Sequence, residues 1–311
     1  MKNYFDFSLT GKRLLPIWIF LYLVVFIPYT VYSYKMNLSS TVGPPILSAL
    51  FLFLIMMVGY LAVFYFIKIA IESVRFKENS IQFDGRFLTY IGKVLLGFVL
   101  SIVTLGIYMA WFLKDISKFF CNNSTLNSER FQFMGKGGRL FLILLLTIFL
   151  PIFILTILSV KFHYPANHSV MGLILFEGIL MIIMIPYFYL CYKWMVDIQY
   201  KNYSIKWKTE FVDSFLKILI EFILVIITCG IYLPMAYLRL FKYFSERTFA
   251  ESEDATMQFG FEFEAKKDFL FIWGQILLTI ITLGIYYPWA FSKIGRRFLT
   301  KTYLIKINAA L

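Results

Sequence analysis

Seven stretches of this chain are apolar over roughly the ~20 residues that a helix needs to cross a bilayer core. They are Leu14–Tyr34, Ile46–Ile71, Val94–Leu113, Leu140–Val160, Val170–Cys191, Ile218–Leu238 and Phe269–Phe291. A soluble domain has nowhere to bury so much: 60% of the 311 residues are hydrophobic and only 15% are charged. An integral membrane protein is expected. Met1–Thr10 lacks a cleavable signal pattern, so the first run is expected to be a retained span.

The charge distribution sets the expected topology. If all seven runs cross, the basic residues divide almost evenly between the two sides, against the positive-inside rule. If the third, sixth and seventh runs instead enter and leave on one side, 28 of the 30 lysines and arginines are cytoplasmic. Only Lys35 and Lys161 are then external. This favours two transmembrane hairpins (runs one and two, four and five), both termini cytoplasmic, and three re-entrant elements. The alternative is up to seven spans.

The same three runs carry nearly one pentapeptide: Thr104-Leu105-Gly106-Ile107-Tyr108, Thr228-Cys229-Gly230-Ile231-Tyr232 and Thr282-Leu283-Gly284-Ile285-Tyr286. Glycine weakens a helix interior by about 1 kcal/mol relative to alanine, so Gly106, Gly230 and Gly284 read as structural breaks. About 12 helical residues before each break rise ~18 Å, which enters the core without crossing it. One offset carries Phe7 onto Phe131, Lys93 onto Lys217, Thr104 onto Thr228 and Phe120 onto Phe244. A second carries Pro234 onto Pro288 and Phe244 onto Phe298. A constant offset over many positions indicates a tandem repeat. The expected fold class is therefore an all-α integral membrane protein with four full spans and three re-entrant elements. It divides into units at 1–125 and 126–250 and a partial third at 251–311. Short alternating stretches such as Phe5-Asp6-Phe7, Phe131-Gln132-Phe133 and Phe259–Phe263 suggest brief β-like segments at the cytoplasmic face, or interfacial aromatic anchors.

These motifs resemble the YjgN family of bacterial inner-membrane proteins, whose function is uncharacterised. Thr282-Leu283-Gly284-Ile285-Tyr286-Tyr287-Pro288-Trp289-Ala290 matches its T-L-G-I-Y-x-P-W-A core, and Arg296-Arg297-Phe298 continues the match. The first copy departs at Met109, the second at Cys229 and Met235. The resemblance implies a bacterial cytoplasmic-membrane location and supplies no catalytic residues.

Ionisable groups within apolar runs are costly, about 2.5 kcal/mol or more at mid-membrane, and therefore informative. Glu177 lies in the fifth run and Glu221 in the sixth, four residues after Lys217. The repeat places Gly97 and Gln275 at positions equivalent to Glu221. Glu177, Glu221, Gln275, Thr104, Thr228 and Thr282 could line a polar pathway, or the acids could be neutralised locally. The basic aromatic segments containing Lys118, Lys242, Arg296 and Arg297 are expected at the cytoplasmic interface, against anionic lipid. The net charge of +12 thus points to membrane lipids as partners and not to nucleic acid. Three scattered cysteines, and His163 and His168 without acidic neighbours, give no metal site. No enzyme or cofactor motif appears. Two readings follow: a transporter or channel for a small solute, ion or lipid, and a non-enzymatic scaffold or lipid-binding protein. Oligomeric state is not legible.

Overall fold

The computed structural model describes residues 1–38, 45–161 and 170–307. Strand β1 (Lys2–Phe7) leads into a helical hairpin. Its first arm is α1 (Gly11–Leu21), a π-helical turn (Tyr22–Phe26) and α2 (Ile27–Leu38), and its second is α3 (Pro45–Glu72). Short strands β2 (Val74–Phe76), β3 (Asn79–Ser80) and β4 (Gln82–Phe83) follow, then a hairpin of α4 (Phe87–Val103) and α5 (Met109–Asn122). After β5 (Ser124–Leu126) and β6 (Glu129–Phe133) comes a third hairpin: α6 (Gly137–Leu144), a π-helical turn (Leu145–Phe149), α7 (Leu150–Lys161) and α8 (Val170–Met195). Strands β7 (Ile198–Tyr200) and β8 (Tyr203–Trp207) precede α9 (Phe211–Ile227) and α10 (Leu233–Glu246). Strands β9 (Thr248–Glu251) and β10 (Thr256–Phe261) precede α11 (Ala265–Ile281) and α12 (Tyr287–Leu299), and β11 (Thr302–Ile307) ends the described chain.

All eleven strands form one antiparallel sheet in the order β3-β2-β1-β11-β10-β9-β8-β7-β6-β5-β4. Its two ends, β3 and β4, are separated in the chain only by Ile81, so the sheet closes nearly into a ring. The segment 79–83 pairs with β2 through its first half and with β5 through its second. The equivalent β8 pairs with both neighbours without interruption. The first and last strands close the other side, Lys2 opposite Ile305 and Tyr4 opposite Tyr303. Glu262, just beyond β10, takes an ion pair from Lys2 and a hydrogen bond from Tyr4, tying β1 to β10 across β11.

Strand direction alternates, so the connections sort onto two rims. Tight turns at 77–78, 127–128, 201–202 and 252–255 lie at one rim. The first three open on left-handed residues, Lys77, Asn127 and Lys201, as two-residue hairpin turns favour. All five helical hairpins leave the other rim. Each of the five strands entering it ends on a buried aromatic: Phe7, Phe83, Phe133, Trp207 and Phe261. Each aromatic belongs to a separate core cluster between the helices above it. The hairpins also form a ring: α3 packs on α4, α5 on α6, α8 on α9, α10 on α11 and α12 on α1.

An all-α protein with four full spans is thus overturned. An eleven-strand sheet joins every unit, and the described residues hold three helices apolar and long enough to span: Gly11–Lys35, Leu50–Glu72 and Gly137–Ile157. The expected β-like pieces are strands of two to six residues. Alone they are too short to hold together in water, and pairing around the ring makes them a sheet.

Candidate functional site

The TLGIY segment is a helix ending built on its threonine, glycine and tyrosine. Thr104 caps α4, and Leu105 and Gly106 follow with φ of 51° and 90°. The Leu105 amide donates to the Ile102 carbonyl (3.1 Å) and the Gly106 amide to Ser101 (2.7 Å). This pair of bonds is a Schellman closure. The other copies repeat it, with Gly230 donating to Val225 (2.8 Å) and Gly284 to Thr279 (2.7 Å). The threonine hydroxyl donates back to the carbonyl four residues earlier and accepts the tyrosine amide four residues later, at 2.9, 3.0 and 3.0 Å in copy order. One hydroxyl therefore satisfies groups on both helices of the bend, and Thr104, Thr228 and Thr282 are bend residues. Gly106→Ala or Gly230→Ala should cost about 1–2 kcal/mol from the left-handed backbone alone. Nothing lies within 4 Å of an added Cβ at either site, so sterics contribute little. A fall in the thermal midpoint in detergent would read the effect.

The bends sit at the tips of the hairpins, where Leu105 and Leu283 are 94% and 78% exposed. Backbone carbonyls there receive aromatic donors from the next hairpin. Trp273 Nε1 donates to Ile231 (2.9 Å), Trp18 Nε1 to Gly284 (2.9 Å) and Tyr22 to Leu283 (2.9 Å). Such capping is what non-helical backbone requires where water is scarce.

Below each bend the equivalent positions Gly97, Glu221 and Gln275 face the second arm of their own hairpin in three different ways. A Cβ on Gly97 would lie 2.0 Å from the Phe112 ring, which fills the space. The residues equivalent to Phe112 are Ala236 and Ala290, and the room they leave is taken by Glu221 and Gln275. Glu221 is 1% exposed; Lys217 Nζ lies 2.6 Å and Arg239 4.0 Å from its Oε1, and Tyr232 donates to its Oε2 at 3.0 Å. Gln275 is 8% exposed and accepts from Tyr286 at 3.0 Å through Oε1. Lys293 Nζ in turn donates to the Tyr286 hydroxyl at 2.8 Å. The helix of Glu177 is present in α8, but its side chain lies outside the described residues, as do His163 and His168. Among the candidates, then, each threonine joins its own bend, whereas Glu221 and Gln275 occupy separate hairpins and do not meet.

Gln275 borders a cavity of about 780 Å³ between α3, α10, α11 and α12. It runs from the sheet rim at Phe7 and Val74 up to Leu233 and Ile280 near the bends, and its wall is overwhelmingly apolar. Beside Glu221 the corresponding space is about 130 Å³.

The interfacial basic residues divide. Lys118 is exposed, and Lys242 is exposed with Glu246 3.6 Å away. Arg296 is exposed as well, and its Nε donates to the Phe7 carbonyl (3.0 Å) and its Nη2 to Leu9 (3.4 Å), which anchors the first strand. Arg297 Nε reaches Asp268 Oδ1 at 2.6 Å, and Lys301 Nζ reaches Oδ2 at 2.7 Å. Asp268 is fully buried and also accepts the Glu264 amide (2.7 Å). Burial pushes its carboxyl up, but hydrogen bonds from Lys301 and Arg297 outweigh that and hold it below the ordinary aspartate value. Sequence reasoning missed this cluster. Its signal lay in the sequence offsets, which align Tyr90 with Ser214 and Asp268, and Phe119 with Tyr243 and Arg297. The contacts change together, from a ring contact (5.7 Å) to a hydroxyl pair (3.0 Å) to an ion pair.

A family model described as bacterial protein of unknown function (DUF898) matches residues 2–268. The chain belongs to this family. Inner membrane protein YjgN of Salmonella typhimurium (strain LT2) is 32% identical over 110 residues, 35% of this chain. The match spans 26% of that relative's length. Together they bear out the YjgN-family resemblance. No solved structure matches the chain significantly. The inner-membrane relative and the apolar helices support a bacterial inner-membrane location for this DUF898 member. No cluster of potential metal ligands occurs among the described residues.

Proposed function

We propose that the protein is a non-enzymatic inner-membrane component that binds a lipid-like molecule within its ring of helical hairpins. The observation that carries this reading is the apolar cavity of about 780 Å³ beside Gln275. An ion pathway needs wet polar groups, yet both Glu221 oxygens are already engaged by Lys217 and Tyr232. Protein purified in mild detergent should carry co-purified lipid by native mass spectrometry, and proteoliposomes should show no flux of small ions above empty liposomes. Lipid-free protein with robust ion flux would sink the reading.

The hairpins, in this proposal, enter the bilayer from the cytoplasmic side and return to it, with the strand ring and both termini at the cytoplasmic headgroups. Support comes from all five hairpins leaving one rim and from the placement of the basic residues. The TLGIY bends are then re-entrant tips of units that arose by duplication, and exposed lysines such as Lys118 and Lys242 meet anionic lipid. Single cysteines at Asn202 and Glu253, in tight turns of the opposite rim, should resist a membrane-impermeant maleimide in spheroplasts and react after permeabilisation. Labelling of intact spheroplasts at either position would reverse the topology.

A further inference from the structure

We infer that the cavity beside Gln275 takes a carbonyl-bearing molecule of the hydrocarbon core, of the chemical class of the membrane quinones, with the Gln275 amide as its hydrogen-bond donor. This rests on the lipid-binding reading above and adds the site and the chemistry recognised. Of the three equivalent positions only one is open. Phe112 plugs the first, and the second holds a carboxylate paired on both oxygens. The third keeps a polar side chain, more than nine-tenths buried, on the wall of the large cavity.

The free atom at that site is a donor. Lysine has no acceptor, so Lys293 must donate to the Tyr286 oxygen, 2.8 Å away. The tyrosine proton is then given to Gln275, whose Oε1 lies 3.0 Å from it. That orientation leaves Gln275 Nε2 with no hydrogen-bond partner among the described residues. A donor left without a partner on the wall of an apolar cavity favours an occupant bearing an acceptor oxygen.

Depth selects the class of acceptor. Asp268 with Arg297 and Lys301 marks the polar end of α11, and Gln275 lies seven residues further along, ~10 Å deeper into the hairpin. Phospholipid acceptors sit at the interface, whereas a quinone carries carbonyl oxygens on a flat ring within an apolar body. Aromatic side chains of the cavity, Tyr287, Phe291 and Phe298 among them, suit a flat ring, which packs well by offset or edge contact.

The test compares a decyl-substituted benzoquinone with decylbenzene, which has the same chain and no carbonyl, for binding to the detergent-solubilised full chain. Wild type should prefer the quinone by about tenfold, as expected for one buried hydrogen bond. Gln275→Leu should lose that preference and still bind decylbenzene, which shows the cavity intact. Tyr286→Phe, which removes the neighbour but keeps the donor, should retain it. Equal binding of the two probes to wild type, or an unchanged preference in Gln275→Leu, overturns the inference and leaves lipid binding standing. Displacement of the quinone by an equimolar diacyl phospholipid overturns the quinone assignment. Failure of both probes and of native lipid to bind defeats the lipid-binding reading itself.

Discussion

Asp268→Ala is expected to lower the thermal midpoint of the detergent-solubilised protein by about 5 °C, corresponding to about 2–3 kcal/mol. The carboxylate is fully buried and holds Arg297 and Lys301 at 2.6 and 2.7 Å. Removing it leaves Arg297 without its carboxylate and Lys301 with only Glu264, 3.6 Å away, at the junction of α11, α12 and β11. Breaking a buried pair commonly costs about 3–5 kcal/mol; the lower figure applies because Arg297 and Lys301 keep 34% and 19% of their side-chain exposure. Asp268→Ser with Arg297→Tyr, which installs the Ser214–Tyr243 combination, should recover part of the loss. The pH dependence has a definite sign. A carboxyl whose pKa is lowered on folding adds stability above its unfolded pKa, and that stability fades as pH falls through the folded value. Wild type should therefore begin to lose this contribution below about pH 4, while Asp268→Asn, lacking the group, should show a shallower acid transition. Equal midpoints for wild type and Asp268→Ala at neutral pH would show that the cluster is not structural.

Phe112→Ala should be at least as damaging, about 3–5 kcal/mol, because the ring is 1% exposed and its loss leaves a cavity. The structure also supplies the compensation. Gly97→Gln placed on Phe112→Ala reproduces the Gln275–Ala290 pairing of the last hairpin, so the double variant should be more stable than Phe112→Ala. Gly97→Gln alone should be destabilising by about 1–3 kcal/mol through overpacking, since the ring already occupies the Cβ position. Thermal melts of the two single variants and the double variant form a complete cycle. Additivity across it would mean that positions 97 and 112 do not share one space.

The bend was largely legible in advance. A glycine flanked by Thr and Tyr at constant spacing announces an interruption, and the offsets align Gly97, Glu221 and Gln275. Pairing of Glu221 with Lys217 followed from four-residue spacing on a helix, and the structure has it at 2.6 Å. What Gln275 borders was not legible. Its cavity is walled by α3, α10, α11 and α12, the first and last of them more than two hundred residues apart, and no local pattern encodes that meeting. The partners of Arg296 and Arg297 are hidden from the sequence for a related reason. A basic pair on an amphipathic helix reads as interfacial, and the structure adds that one arginine donates to the Phe7 carbonyl of β1 while the other pairs with a buried aspartate.

Sequence alone determined that the chain is built for a membrane, that similar helix–break–helix elements recur and where their breaks fall. Apolar length, charge placement and a repeated glycine are local properties, and each acts within a few turns of helix. Tertiary structure decided the ring. Strands of two to six residues hold too little pattern to declare themselves, and their stability comes from neighbours supplied by distant segments. β1 is completed by β11 and β2, and the segment 79–83 by partners on both sides. That closure gathers five hairpins on one rim, and it brings α3 and α10 from neighbouring hairpins to wall the cavity beside Gln275.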